Sequence, residues 1–468
     1  MRRLLALALL AALPVAAQQA PAPATPPKET PATPAPAADP KAPASKPAAP
    51  AAKAAVAADA KADDDASKVP LDEIRRFVTV YNAVKQAYVE PVTDDKLMKA
   101  AIHGLLLDLD PHSTYFDKSD AEDFDENARG AYEGIGVELQ RQKDGTLKVV
   151  SAIDDTPAAK AGLKSGDIIV AMDGKPFGPD QGDTSAPLRG AAGSKVVLTI
   201  VRKGATKPMQ ITVVRDTIHV ASVRGRMLEP GFGYVRVAAF QADTAADFEK
   251  ALDKLKANGK LRGLVMDLRS NPGGLLTSAV QIADDLLDKG GIVSTRGRIS
   301  ISDAQFSATP GDRLDGAPLV VLVDGGSASA SEVLAGALKD NGRARIVGSR
   351  TFGKGSVQTV LPLDNGDSVK LTTARYFTPS GKSIQALGIV PDVAYTATRS
   401  PDDARLLLSE ASLPGHLRGD ADDNEDAGDV LEGEGYIQQA LNELKRMAGV
   451  PVAPAPTKPA AKPAPKTK

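Results

Sequence analysis

The sequence predicts a multidomain α/β protein in which a mixed α/β core carries an inserted strand-rich module, with helical segments before and after it. Strand segments, Leu264 to Leu268 and the short continuous apolar run Pro318 to Val323, alternate with helix-period stretches such as Ser331 to Leu338. Between Ala131 and Asp216, five short strand patterns follow one another with turn residues between them. From Leu71 to Asn127, and again from Ser400 to Met447, apolar residues recur at helical spacing. A chain of 468 residues has room for two to four such domains.

Arg2 and Arg3 precede an apolar run from Leu4 to Pro14, and Val15-Ala16-Ala17 supplies a small-residue cleavage site. Residues 1–17 therefore read as a secretory signal peptide, too short for a membrane span, with an uncleaved anchor as the alternative. Residues 18–69 are Ala, Pro and Lys with scattered Asp, a composition that cannot bury enough surface to fold and reads as a semi-extended linker. Residues 70–129 form a helical region and 130–216 the inserted module, whose strands are GIGVELQ, LKVVSAI, DIIVAMDG, KVVLTIV and MQITVVR. Within it, Thr156 to Leu163 suits a short helix entered through Pro157. Residues 217–398 make the core, 399–449 a helical C-terminal region, and 450–468 a second Pro-Ala-Lys tail.

Composition excludes several classes of function. The 57 basic and 59 acidic residues nearly balance, so no nucleic-acid partner is expected. With no cysteine there is no thiol nucleophile, thiolate metal site or lipobox, and the fold needs no disulfide. A His-Glu-x-x-His pattern is absent, the acidic stretch GDADDNEDAGD lacks calcium-loop spacing, and TFGKGS lacks the glycine spacing of a phosphate loop. Neither metal nor cofactor is expected.

The chemistry concentrates between Val323 and Gln358. Asp324, Gly325 and Gly326 break the apolar run and place Ser329 at a strand-to-helix turn, where free N–H groups and the helix dipole favour negative charge. A structural explanation competes, because Ser329 and Glu332 fit the Ser-x-x-Glu capping box. Lys354 shifts the balance: glycines on both sides of it, in TFGKG, bring the backbone close to something at which one long side chain is aimed. A serine hydroxyl becomes a nucleophile when a base removes its proton, and an uncharged lysine can be that base. Lowering a lysine from about 10.4 to near 7 takes about 4–5 kcal/mol of differential destabilisation, which burial supplies if no carboxylate pairs with the amine. Gln358 can accept from the amine without restoring a counter-charge. Of the four histidines, His103, His112, His219 and His416, none falls in a catalytic context, and neither a Gly-x-Ser-x-Gly elbow nor a Ser-x-x-Lys motif surrounds Ser329.

Together these segments resemble the tail-specific, or C-terminal processing, serine peptidases. GSASASE, TFGKG and the following glutamine match that family's signature, and DLDPHSTYF, GIGVEL, DLRSNPGGLL and GIVPD fall in the expected order. The resemblance runs from about Leu71 to Tyr395. It implies a mixed α/β peptidase core with an inserted PDZ domain, Ser329 as nucleophile, Lys354 as general base and Gln358 as the residue orienting the lysine. It also places an oxyanion hole at backbone N–H groups of Gly274 and Ala330. Ser327 and Ser331 flank the nucleophile and leave the register open.

The strand-rich module resembles a PDZ domain, with Gly134, Ile135, Gly136 and Val137 as its carboxylate-binding loop. The resemblance also implies that Arg189 couples this module to the active site, with an exposed loop arginine as the alternative. The function so implied is a periplasmic serine endopeptidase, free or associated with the inner membrane, that captures apolar protein C-termini and cleaves through an acyl-serine. An activating adaptor protein and a homo-oligomer are the expected partners. A catalytically silent PDZ-bearing scaffold is the alternative, and an esterase using the same dyad a weaker third.

Overall fold

The computed structural model describes residues 69–177, 188–257, 259–299, 302–396, 409–419, 429–432 and 435–452. The expected signal peptide, the linker up to residue 68 and the tail from 453 lie outside them.

A seven-stranded sheet organises the core. Its order is β10 (Val223–Glu229), β11 (Phe232–Val237), β12 (Gly263–Asp267), β15 (Leu319–Val323), β16 (Arg345–Gly348), β19 (Val393–Thr396) and β20 (Asp429–Glu432). Every pair is parallel except β10 with β11. The continuous apolar runs follow from burial on both faces. Leu264, Met266, Leu319, Val321 and Val323 face one core cluster, and α5 (Thr244–Lys256), α6 (Leu276–Leu286) and α7 (Ala330–Asp340) pack there. The alternating residues Val265, Val320 and Leu322 face the other cluster, against Ala440, Leu441 and Leu444 of the C-terminal helix α8 (Tyr436–Met447).

A second sheet lies beside it, with β1 (Thr114–Phe116), β18 (Ser368–Phe377), β13 (Gly291–Gly297) and β14 (Ala304–Ser307) in order, and β17 (Ser356–Pro362) also paired to β18. The N-terminal region supplies α1 (Leu71–Ala87), α2 (Asp94–Leu107) and α3 (Lys118–Arg129), as its apolar spacing predicts. It is not helical throughout: DLDPHSTYF contributes β1, since Thr114-Tyr115-Phe116 has the branched and aromatic residues a strand favours.

The inserted module is a six-stranded sheet of β3 (Val137–Arg141), β4 (Leu147–Ala152), β5 (Ile168–Met172), β7 (Lys195–Val201) and β8 (Met209–Val214), with β6 (Lys175–Pro176) on β5. It has its own core around Ile135, Val149, Ile169, Leu198 and Ile200. The short helix α4 (Pro157–Lys160) begins at the expected proline. A two-stranded ladder of β2 (Ala131–Gly134) and β9 (Asp216–His219) closes the module where the chain enters and leaves it.

The helical C-terminal region is corrected in one respect. Among the described residues, 399–449 contribute a 3-10 turn at Glu410–Ser412 and the strand β20 as well as α8. Asp429–Glu432 is too short to carry a period, and an open edge at β19 takes it as a seventh strand.

Candidate active site

Four parallel strands end on the same side of the core sheet, and the loops that follow them meet there, as open α/β sheets arrange their ligand sites. Phe240 and Gln241 come after β11, Pro272 to Gly274 after β12, Ser329 after β15 and Lys354 after β16. With Phe124 and Ala128 of α3, Gln358 of β17 and Lys370 and Tyr376 of β18, they line one cavity of about 530 Å³.

Ser329 immediately precedes α7 with φ 55° and ψ −116°, a backbone conformation a side-chain-bearing residue rarely adopts. An ordinary N-cap sits in the β region, so helix capping alone gives no reason for this strain; backbone outliers of this kind gather at functional sites. The neighbouring serines separate cleanly from it. Ser327 donates to the Leu268 carbonyl at 2.8 Å and accepts from Asp324 N–H at 3.0 Å, while Ser331 donates to the Asn271 carbonyl at 2.9 Å. Both are fully buried at 0 % exposure, whereas Ser329 keeps 9 % and lines the cavity. Of the three serines, Ser329 is the one that lines the cavity.

The turn Asn271 to Gly274 packs against this serine. A Cβ on Gly273 would come 2.9 Å from the Ser329 Cβ and 3.0 Å from the Ala330 nitrogen. The Gly273 carbonyl is taken by Phe240 N–H at 3.0 Å, so the trans peptide turns the Gly274 N–H the opposite way. Ala330 is the first residue of α7, and its N–H has no intrahelical acceptor. The Ala330 N–H thus adjoins Ser329 in the chain, and the turn that carries the Gly274 N–H packs against the same serine.

Lys354 is held by close backbone packing. A Cβ on Gly355 would lie 2.2 Å from the Gln385 nitrogen, and Gly353 has φ 96°. The Lys354 amine forms no hydrogen bond or ion pair among the described residues. Burial pulls it below the ordinary lysine range, and the Lys370 charge acts in the same direction, against Glu410, Glu332 and Asp110. Gln358 sits at a bulge in the β17–β18 ladder. Its Nε2 donates to Ser356 at 3.0 Å and Thr372 at 3.2 Å, and its Oε1 forms no hydrogen bond with the Lys354 amine in this structure. Gln358 shares the cavity with the lysine, but its amide nitrogen is committed to its own sheet.

Glu332, read from the sequence only as a capping partner, does far more. Fully buried, it accepts from the backbone N–H of Ser329 at 2.7 Å, Gly353 at 2.7 Å and Lys354 at 2.9 Å, and from the Thr351 hydroxyl at 2.5 Å. One carboxylate thus joins the serine loop to the lysine loop. Burial lifts it to about 7, with the four donors pulling the other way. The Asp110-Pro111-His112-Ser113 turn adds a second network. Asp110 accepts from Ser113 and from Thr372, which in turn accepts from Gln358. His112 meets Glu410 at 2.8 Å, Glu410 meets Gln385, and Gln385 accepts from Gly355 N–H. Asp340 lies apart from the cavity, where it accepts from Ser380 N–H.

In the inserted module, Gly134, Ile135, Gly136 and Val137 line a groove of about 170 Å³ with Tyr132, Leu188 and Arg189. Ile135 O accepts from Ala158 N–H, and Gly136 O from Ile153 N–H and Thr156 Oγ1. With those carbonyls turned into the module, the following amides point away from it. The strand β3 beside them is a sheet edge, open to an added peptide strand. Arg189 pairs with Asp123 and with Glu126 (2.8 Å) of α3, the helix whose Phe124, Asn127 and Ala128 line the larger cavity.

Comparison with known proteins agrees with this division. Residues 231–395 match Peptidase family S41, 134–213 match the PDZ domain, and 44–120 match the family described as activating protease CtpB N-terminal domain. A carboxy-terminal-processing protease of Bartonella bacilliformis is 44% identical over 363 residues, covering 76% of this chain and 83% of the relative. The carboxy-terminal processing protease CtpA of Bacillus subtilis is 37% identical over 333 residues, 71% of this chain and 70% of its own. Among solved structures, a photosystem II D1 C-terminal processing protease is 35% identical over 68% of this chain and 86% of its own, with a TM-score of 0.40. The chain belongs to the carboxy-terminal processing proteases of peptidase family S41, with an inserted PDZ domain.

Proposed function

We propose that this protein is an exported serine endopeptidase that holds the apolar C-terminus of a substrate protein in the PDZ groove and cleaves it through Ser329 and Lys354. The observation that carries this reading is the convergence on one cavity, beside the Gly273-Gly274 turn, of a strained serine and a lysine of lowered basicity that has no ion pair among the described residues. Neutral Lys354 takes the Ser329 proton as the oxygen attacks the scissile carbonyl. Gly274 and Ala330 N–H groups receive the oxyanion, and the lysine returns the proton to the leaving amine. Water then releases the acyl-serine by the same base. The Gln358 carbonyl oxygen, left over from its amide's contacts, accepts from Lys354 once substrate is bound.

Tail reading is tested with one protein substrate carrying a free apolar, an amidated or an Asp-Asp terminus. The free apolar form is cut at least about ten-fold faster, because amidation removes the charge that N–H groups bind and terminal acids bury unpaired charge. Gly136→Val abolishes this preference: φ is 74°, and any Cβ meets Thr156 at 2.4 Å. Arg189→Ala, which releases α3 from the groove, makes cleavage insensitive to the tail while Ser329 and Lys354 stay in place. Equal rates on all three tails by the unaltered protein remove the PDZ groove from substrate selection.

Export rests on Arg2, Arg3 and the run to Ala17. N-terminal sequencing of the mature protein from a periplasmic fraction is expected to begin after Ala17. An intact Met1 on membrane-bound protein would indicate the anchor instead.

A further inference from the structure

Lys370 is a second lysine in the cavity, on the strand β18 that pairs with β17. Its ammonium lies 5.2 Å from the Phe116 ring centroid and 5.7 Å from that of Phe124, and it makes no ion pair among the described residues. Two amines thus share one partly enclosed space, and charging both is unfavourable.

The groups around them decide which keeps its proton. Lys370 rests on two aromatic faces, which stabilise a cation; among the described residues Lys354 rests on none. Asp110 is the carboxylate that acts on Lys370, and it also acts on Lys354. The other carboxylates acting on Lys354 are Glu332 and Glu410. Glu332 is turned to backbone donors, and Glu410 is bonded to His112 and Gln385.

We propose that Lys370 is a positioning residue: a fixed cation, held by Phe116 and Phe124, that keeps Lys354 unprotonated and ready to act as base. The inference rests on the Ser329–Lys354 reading and adds the origin of the base's state. Burial lowers both amines, and the Lys370 charge is the next cause at Lys354.

The test is the pH dependence of kcat/KM for the full chain on a quenched peptide, with Lys370→Met, Lys370→Gln and Lys370→Arg. Removing the charge lets Lys354 hold its proton to higher pH. The Met and Gln variants therefore move the acid limb up by about one pH unit, a roughly ten-fold loss on that limb, and recover on the plateau. Lys370→Arg keeps the limb near its original place. An unmoved limb, or the same loss at every pH, overturns the proposal, because packing or a substrate contact would act without regard to pH. The Gln variant carries the test where the Met side chain does not fold. Lys354→Ala separates the two readings: full cleavage there rejects the base itself, whereas an inactive Lys354→Ala with an unmoved Lys370→Gln limb rejects only the role of Lys370.

Discussion

Ser329→Ala and Lys354→Ala each lower peptide hydrolysis by at least about a thousand-fold, and the double variant is scarcely worse than either, because nucleophile and base act as a unit. The Lys354 change removes no side-chain hydrogen bond among the described residues, and the Ser329 change costs at most a helix cap, about 1 kcal/mol. Ser329→Gly is equally inactive but more stable, by roughly 1 kcal/mol, since glycine relieves the strain of a φ of 55°. The neighbouring serines behave in reverse. Ser327→Ala orphans the Asp324 N–H and costs about 1–3 kcal/mol of stability, with most activity kept in the folded fraction. Urea unfolding beside steady-state hydrolysis separates the two patterns. Activity surviving in Ser329→Ala and lost in folded Ser327→Ala would move the nucleophile to Ser327.

The architecture was legible wherever a single segment carries its own signal. Leu264 to Met266 and Leu319 to Val323 are apolar at every position because helices cover both faces of their sheet, and the strands of the inserted module alternate around one small core. Ser329 and Lys354 were legible for a related reason. Each follows a parallel strand at its carboxyl end and carries glycines that only a tight approach explains. What stayed hidden depends on distant pairing. Glu332 has the spacing of a helix cap, and its bonds to Thr351, Gly353 and Lys354 arise only when the loop after β16 folds over the start of α7. Thr372 meets Asp110 across 262 residues and Glu410 meets His112 across 298, separations at which no local pattern survives. Lys370 looks like any lysine on a half-buried strand until Phe116 and Phe124 arrive from the N-terminal region. The strand β20 carries no sequence signal of its own, because four residues hold no period.

Glu332→Ala is the substitution expected to damage both fold and function most. It leaves the N–H groups of Ser329, Gly353 and Lys354 and the Thr351 hydroxyl without their acceptor in a fully buried place. Each buried orphan costs about 1–3 kcal/mol before relaxation, so a net loss of roughly 3–5 kcal/mol follows. Glu332→Gln fills the space and keeps one accepting oxygen, but turns an NH2 group toward donors. It therefore folds with a smaller loss, and hydrolysis still drops about a hundred-fold, because the two loops no longer hold Ser329 and Lys354 in register. The pH dependence identifies the carboxyl group itself. Burial raises Glu332 to about 7, above the usual carboxylate range, so the folded chain binds this proton more tightly than the unfolded chain. Its contribution to stability is fully present below about pH 4.5 and is lost as pH rises through about 7. Urea midpoints measured across that window fall with rising pH for the unaltered protein, relative to the Gln variant, which has nothing to titrate there. Parallel curves for the two proteins would show that Glu332 ionises in the fold as it does in the open chain, and that its four donors outweigh burial.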